Sequence, residues 1–242
     1  PLLPFPFGLL GSLSVLLMPE ITQAHILGQT ERLNALLDRM LRLTGYFSAL
    51  AGALFRVWGR PAAQLLYHSA DAGFYLETLA PAMPLMYLES MVDGAMKGVG
   101  EQKAAFRYSV WDSVLRIAGV AVLLPRFGMK GFLAVILCSS LYTCAANTGR
   151  LLLSSGTPHA FRRWLGAPAL AALLSAAAGT GLSRALAAGL AGGSMPQWLA
   201  ALAAGVAGTA GVFLLAAWPL GLGEELDQIR QKHLFRRAKQ EK

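Results

Sequence analysis

The sequence predicts an all-α protein built as a polytopic bundle of about seven transmembrane helices. Of its 242 residues, 55% are hydrophobic and only 14% are charged, and the mean hydropathy is +0.49. A soluble domain usually carries about 25% charged residues, so the composition excludes an ordinary soluble domain. The high hydrophobicity also excludes a disordered chain, and the apolar residues gather in runs long enough to cross a bilayer.

Seven apolar segments define the predicted spans. Each is close to the roughly 20 residues that a helix needs to cross about 30 Å of hydrocarbon. The segments are continuous and rich in Ala and Leu rather than alternating, which disfavours a β-barrel. They cover residues 2–18, 44–67, 74–96, 105–124, 131–153, 164–186 and 198–220.

The positions of Lys and Arg predict the orientation, because cytoplasmic connections carry an excess of these residues. One set of alternate connections, together with the C-terminal tail, holds 15 of them, whereas connections 68–73, 125–130 and 187–197 hold 2. The predicted arrangement therefore places the C-terminus in the cytoplasm and Pro1 outside.

Two polar regions lie between and after the predicted spans. Region 20–43 carries Leu33, Leu37 and Met40 at helical spacing between charged residues. This pattern predicts an amphipathic cytoplasmic helix, either on the membrane surface or packed under the bundle. The predicted organisation is a first span at 1–19, this linker at 20–43, four core spans at 44–155, two final spans at 156–220 and a basic cytoplasmic tail at 221–242.

Ionisable residues within the apolar segments carry the most information about function. Such a side chain costs about 2.5–3.5 kcal/mol near the bilayer centre and therefore faces a partner or a cavity. The third and fourth segments form a predicted antiparallel hairpin in which Arg116 lies deep enough to reach Glu89. Asp93 shares a helix face with Glu89, and Asp112 shares one with Arg116, because each pair is four residues apart. Two interpretations remain open: a structural ion-pair network, and a proton or cation relay beside a polar cavity.

Arg56 lies midway along the second segment, with Arg60 one turn further on. The arginine fork matches phosphate geometry, so Arg56 is a candidate for holding an anionic lipid headgroup. Two alternatives remain open. Arg56 pairs with an acid of the neighbouring segments, or Gly59, Arg60 and Pro61 end the helix early.

Signals of enzymatic chemistry are weak. The four histidines lie on separate connections or on the tail, and Cys138 and Cys144 face different sides of one span. We therefore expect neither an enzyme nor a metal site or cofactor. The net charge of +8 is explained by the cytoplasmic connections, so we expect no nucleic-acid partner.

Short motifs stand at the ends of several segments. They are LMPEI at 17–21, QLLY at 64–67, LAP at 79–81, DGAMKGVGEQ at 93–102 and FGMKG at 127–131, followed by Asn147. The series resembles that of the multidrug/oligosaccharidyl-lipid/polysaccharide exporter superfamily, in particular its stage V sporulation protein B-like branch. The resemblance covers roughly residues 8–155, and the Ala-rich remainder matches only in hydropathy.

This resemblance implies a fourteen-span transporter with both termini in the cytoplasm, of which the chain represents spans eight to fourteen. The expected partners are the lipid bilayer, a lipid-linked saccharide and a missing N-terminal lobe. Such proteins flip their lipid substrate, for example the cell-wall precursor lipid II, by alternating access in the bacterial inner membrane. The candidate substrate-binding or cavity residues are Arg56, Arg60 and Asn147, and the candidate ion-pair or coupling residues are Glu89, Asp93, Asp112 and Arg116.

Two other functions remain open at this point. The first is a cation-coupled multidrug exporter of the same superfamily, in which the membrane acids carry the coupling ion. The second is a membrane scaffold that transports nothing. Substrate-dependent flipping by the full-length protein separates the transporters from the scaffold.

Overall fold

The computed structural model describes residues 4–68, 70–158, 160–189 and 195–223, and within them every regular element is a helix. The all-α class is therefore confirmed. In chain order the helices are α1 (Pro4–Ile26), α2 (Thr30–Tyr67), α3 (Ala70–Leu79), α4 (Met83–Gly98), α5 (Gln102–Ser155), α6 (Ala167–Gly189) and α7 (Met195–Ala217). Nearly all of the predicted basic tail lies outside the described residues.

The longest helix, α5, is a hairpin with its turn at Gly128. This residue has φ 58° and ψ −141°, a conformation that glycine adopts readily, and it divides α5 into arms 102–127 and 129–155. The arms run antiparallel, since Gly119 on the first lies against Val135 on the second. They coincide with the predicted fourth and fifth segments, and the turn falls in the predicted outer connection.

Three helical stretches are long and apolar enough to cross a membrane. Most of their side chains face outwards, and large apolar residues such as Ile117, Leu173 and Leu215 are exposed. Such a surface is unfavourable in water and typical of helices that contact lipid. Seven spans stay a prediction, because the stretches found in the described part of the chain are Gln102–Ser155, Arg162–Leu186 and Pro196–Leu222.

The first two segments have different ends from those predicted. Helix α1 continues through Pro19 instead of ending at Met18, and α2 runs without interruption through Pro61. A proline removes one helical hydrogen bond, but packed neighbours allow the helix to continue. The 38 residues of α2 span about 57 Å, so this one helix contains residues 30–43 of the predicted linker and the whole of the predicted second span.

The amphipathic part of α2 packs against the bundle by its apolar face. Leu33, Leu37 and Met40 are buried in the main core cluster. On the neighbouring face Asp38 accepts a hydrogen bond from Trp164 Nε1 at 2.6 Å, which ties α2 to the π-helical stretch that precedes α6. Residues 30–43 thus pack against the bundle, and their position relative to a membrane stays a prediction.

The predicted third segment is divided at its prolines into α3, a 3-10 turn and α4. Pro81 lies within the turn and Pro84 in the first turn of α4. The turn approaches α2 closely, since a Cβ at Gly52 would lie 2.8 Å from the carbonyl oxygen of Ala80. Glycine at position 52 therefore lets α2 pack directly against the turn between α3 and α4.

Helices α6 and α7 pack beside α2 through small residues and one buried hydrogen bond. Gly205 of α7 lies against the ring of Trp58, and Trp58 Nε1 donates to Thr209 Oγ1 at 3.0 Å. Phe213 and Ala217 continue the same buried stripe at four-residue spacing. These contacts make α2 the central helix of the bundle.

Candidate functional site

A polar cleft lies between α4 and the α5 hairpin, within an otherwise apolar part of the bundle. Its volume is about 430 Å³. The predicted coupling residues Glu89, Asp93 and Arg116 meet the predicted cavity residue Asn147 here, although they come from three different helical stretches. The other polar residues that line the cleft are Ser90, Ser109 and Ser140.

Four-residue spacing arranges most of these polar side chains in two facing stripes. One stripe on α4 contains Glu89 and Asp93. The other, on the second arm of α5, contains the buried residues Ser139, Thr143 and Asn147. Glu89 faces the Thr143 hydroxyl across the interface. The sequence prediction included only Asn147 from the second stripe. The four-residue spacing of polar residues within an apolar segment could also have identified Ser139 and Thr143.

Asp112 is held in a buried network within the hairpin. Arg116 Nη2 donates to Asp112 Oδ2 at 2.9 Å and to Ser139 Oγ at 2.7 Å, and the Ser139 hydroxyl also donates to Asp112. The predicted contact between Arg116 and Glu89 is not found among the described residues. Asp112 is one turn away on the same arm, so Arg116 reaches it without extending across to α4.

Among the described residues, Glu89 is the carboxylate of the cleft that forms no ion pair. Arg116 neutralises Asp112, and Lys97 Nζ pairs with Asp93 Oδ2 at 2.7 Å. Asn147 is only 5% exposed, and its Oδ1 atom has no hydrogen-bond partner in the described structure. A carboxylate without an ion pair and an amide oxygen without a donor are acceptors that suit a proton or a small cation.

A second charged group lies on an exposed face of α2. Arg56 and Arg60 both form ion pairs with Glu77 of α3, and their side chains are 50% and 62% exposed. Of the alternatives for Arg56, pairing with an acid of a neighbouring segment is the one found. Two guanidinium groups that share one carboxylate leave a net positive charge. Glu77 was not among the predicted site residues, because spacing within α3 does not show which helix it faces.

A larger groove opens where α1 meets the corner between α4 and α5. Its volume is about 660 Å³, and its walls are mostly apolar residues of α1 together with Gln23, Lys97 and Gln102. Lys97 lines this groove, whereas its partner Asp93 lines the cleft. The Asp93–Lys97 ion pair therefore lies where the two cavities approach each other.

The described chain is an all-helical bundle with a charged cleft and three helical stretches long and apolar enough to cross a membrane. No family model matches the chain. A curated relative, Sporulation protein YkvU of Bacillus subtilis (strain 168), is 28% identical over 152 residues, which cover 62% of this chain and 32% of the relative. The aligned part of this chain thus spans about a third of that relative's length. The relative's name agrees with the sporulation branch that the motifs resemble, while membership of the superfamily stays a prediction.

Proposed function

We propose that this chain is the C-terminal part of a membrane flippase that translocates a lipid-linked saccharide, such as a cell-wall precursor, by alternating access. The polar cleft supports this proposal most strongly. Charges in an apolar bundle are costly and are retained where they serve a cavity or a partner. Among the described residues Glu89 forms no ion pair and Asn147 Oδ1 has no hydrogen-bond donor, as expected of a site for a coupling cation and not of a purely structural network.

The group of Arg56, Arg60 and Glu77 supports the same proposal from the substrate side. A lipid-linked saccharide carries an anionic phosphate or pyrophosphate headgroup, which arginine forks bind bidentately. Both arginines are at least half exposed, so each can contact a ligand while Glu77 holds its position. We assign Arg56 and Arg60 to the headgroup and the cleft to the coupling ion.

The motif series and the relative named for sporulation support a bacterial setting for this proposal. In the proposed arrangement the chain is a multi-pass part of the inner membrane, with its C-terminus in the cytoplasm and an N-terminal lobe as its partner. Transport by such a protein requires no covalent chemistry and no cofactor.

The acidic excess of the cleft also supports a second candidate, a cation-coupled multidrug exporter. An organic cation would bind directly to carboxylates such as Glu89. The satisfied network of Asp112, Arg116 and Ser139 fits a third possibility, a scaffold in which all ion pairs are structural.

The test is flipping by the full-length protein in proteoliposomes that contain a fluorescent lipid-linked saccharide, followed by quenching from one side. We expect flipping by the wild type and a loss of about tenfold or more in Glu89→Gln, the range for removal of a buried functional charge. Glu20→Gln, on an exposed face of α1, is the matched control and should be unchanged. Transport of an organic cation without flipping would favour the exporter, and the absence of both activities would favour the scaffold.

Arg56 separates a substrate site from a structural ion pair. Arg56→Lys keeps the charge but loses the planar fork, so we expect partial loss of flipping, whereas Arg56→Ala should lose most of it. Both variants should reach normal abundance in the membrane. A fully active Arg56→Ala variant, or one that fails to accumulate while Arg56→Lys is fully active, would contradict the assignment to the headgroup.

A further inference from the structure

Three charged residues form one stripe along α4, leading from the cleft to the groove. Glu89, Asp93 and Lys97 follow each other at four-residue spacing, and α4 ends one residue after Lys97, at Gly98. Glu89 and Asp93 line the cleft, and Lys97 lines the groove. A cation that enters the cleft along this face meets Asp93 before Glu89.

The ion pair at this junction is accessible and exchangeable. The side chains of Lys97 and Asp93 are 52% and 36% exposed, and their charged atoms are 2.7 Å apart. An ion pair with this exposure is weak, because solvent screens it and the long lysine side chain loses entropy in holding it. A competing cation can therefore replace the ammonium group, which stays attached nearby by its flexible stem.

We propose that Lys97 is a tethered cation that occupies Asp93 while the cleft is empty and that an incoming cation must displace. Lys97 is then a positioning residue that sets the cation affinity of the cleft. The ligand is a proton or a small monovalent cation, since the acceptors offered are carboxylates, hydroxyls and the unpartnered Oδ1 of the buried Asn147. This proposal rests on the coupling site of the proposed function.

The surrounding charges allow the contribution of Lys97 to be isolated. The charged groups at the cleft are Glu89 and Asp93 on α4 and Arg116 with its partner Asp112 on α5. The residues of α1 that line the groove are uncharged. Arg116 remains bound to Asp112 when Lys97 is changed, so the substitution removes one positive charge and leaves the network of the hairpin intact.

The test measures cation binding by the full-length protein in lipid nanodiscs. One arm measures binding of radioactive sodium ions, and the other follows the infrared band of protonated carboxyl groups during a pH titration without sodium. Lys97→Gln should bind sodium about two- to fivefold more tightly or, if the ligand is a proton, move the midpoint about 0.3–0.7 pH unit higher, the range for a half-exposed ion pair. Glu89→Gln identifies the part of each signal that belongs to the cleft.

Two further variants keep the result specific. Lys97→Arg retains the positive charge and should stay near the wild type. Lys103→Gln, on an exposed position in the first turn of α5, is the matched control and should change neither arm. The proposal is overturned if Lys97→Gln equals the wild type in both arms, if Lys103→Gln shifts them equally, or if the wild-type cleft gives no signal in either. The readout is binding, so a failure of the flipping assay leaves this result unaffected.

Discussion

Arg116 shows how a charged side chain is kept within an apolar hairpin. It donates to Asp112 and Ser139, and Ser139 also bonds Asp112, so three groups satisfy one another. Asp112 is only 8% exposed and depends on these two partners. Breaking a buried pair costs more than the pair contributes, because the remaining charge stays in a low dielectric without compensation.

We expect Arg116→Ala to destabilise the protein by about 2 kcal/mol, less than a fully buried pair because the guanidinium is 47% exposed and Ser139 remains bonded to Asp112. Thermal unfolding in detergent micelles measures this difference. Arg184→Ala, at an exposed position of α6, is the control and should change stability little. Equal losses at the two positions would contradict the role of the network.

The contacts within the site were predictable where both residues lie on the same helix. The four-residue spacing of Asp112 and Arg116 indicates their pairing directly. Contacts between helices were not predictable in this way, because Ser139 meets Asp112 only after the chain turns at Gly128. For the same reason the sequence left the partner of Arg56 open, and Glu77 was identified only by the packing of α3 on α2.

At the scale of the elements, the turn of α5 depends on a glycine. Gly128 has a φ of 58° and a ψ of −141°, a combination that residues with a Cβ rarely adopt. No other atom would lie within 4 Å of an added Cβ. The strain is therefore conformational and not a clash.

Gly128→Ala should cost about 1–3 kcal/mol of stability, measured by thermal unfolding. Gly149→Ala, in regular helix of the second arm and with nothing within 4 Å of the added Cβ, should be neutral or slightly stabilising because alanine favours helix. A neutral Gly128→Ala would show that the turn tolerates other residues.

Close packing of α7 on α2 gives a second prediction for the elements. A Cβ at Gly205 would overlap the ring of Trp58, which is also fixed by its bond to Thr209. Gly205→Ala should therefore destabilise the protein by about 1–3 kcal/mol through overpacking. Gly211→Ala, where nothing lies within 4 Å of the added Cβ, serves as the comparison in the same unfolding assay. If both variants unfolded like the wild type, α7 would not pack as described.

The identity of the elements was largely predictable, but their ends were not. Continuous apolar runs predict helices, and the arms of α5 match two of these runs. The boundaries of helices α1 and α2 differ from those of the predicted spans, because Pro19 and the charged residues of 20–43 lie within or between helices. Residues 30–43 are part of α2, since packing of Leu33, Leu37 and Met40 outweighs local polarity.

At the scale of the whole molecule, the apolar surface and the charge distribution predict how the protein lies in a membrane. Large exposed residues on α5, α6 and α7 form the surface expected to contact lipid. The bias of Lys and Arg predicts that the tip of the hairpin lies outside and the start of α5 in the cytoplasm.

Single cysteines in the full-length protein test the orientation in intact cells. On a background without Cys138 and Cys144, a cysteine replacing Met129 should react with an impermeant thiol reagent from outside, because Met129 is 46% exposed beside the hairpin turn. A cysteine replacing the exposed Lys103 should react only after the cells are permeabilised. The opposite labelling pattern would reverse the predicted topology.

The network of Asp112, Arg116 and Ser139 also has a consequence for the assembly of the protein during synthesis. All three residues belong to the α5 hairpin, so their charges are satisfied as soon as the two arms meet, before α6 and α7 have been made. Contacts between neighbouring arms form quickly because little chain must be closed to make them. We therefore expect Arg116 to enter the bilayer as a neutral pair with Asp112, so that its insertion does not have to wait for the rest of the bundle.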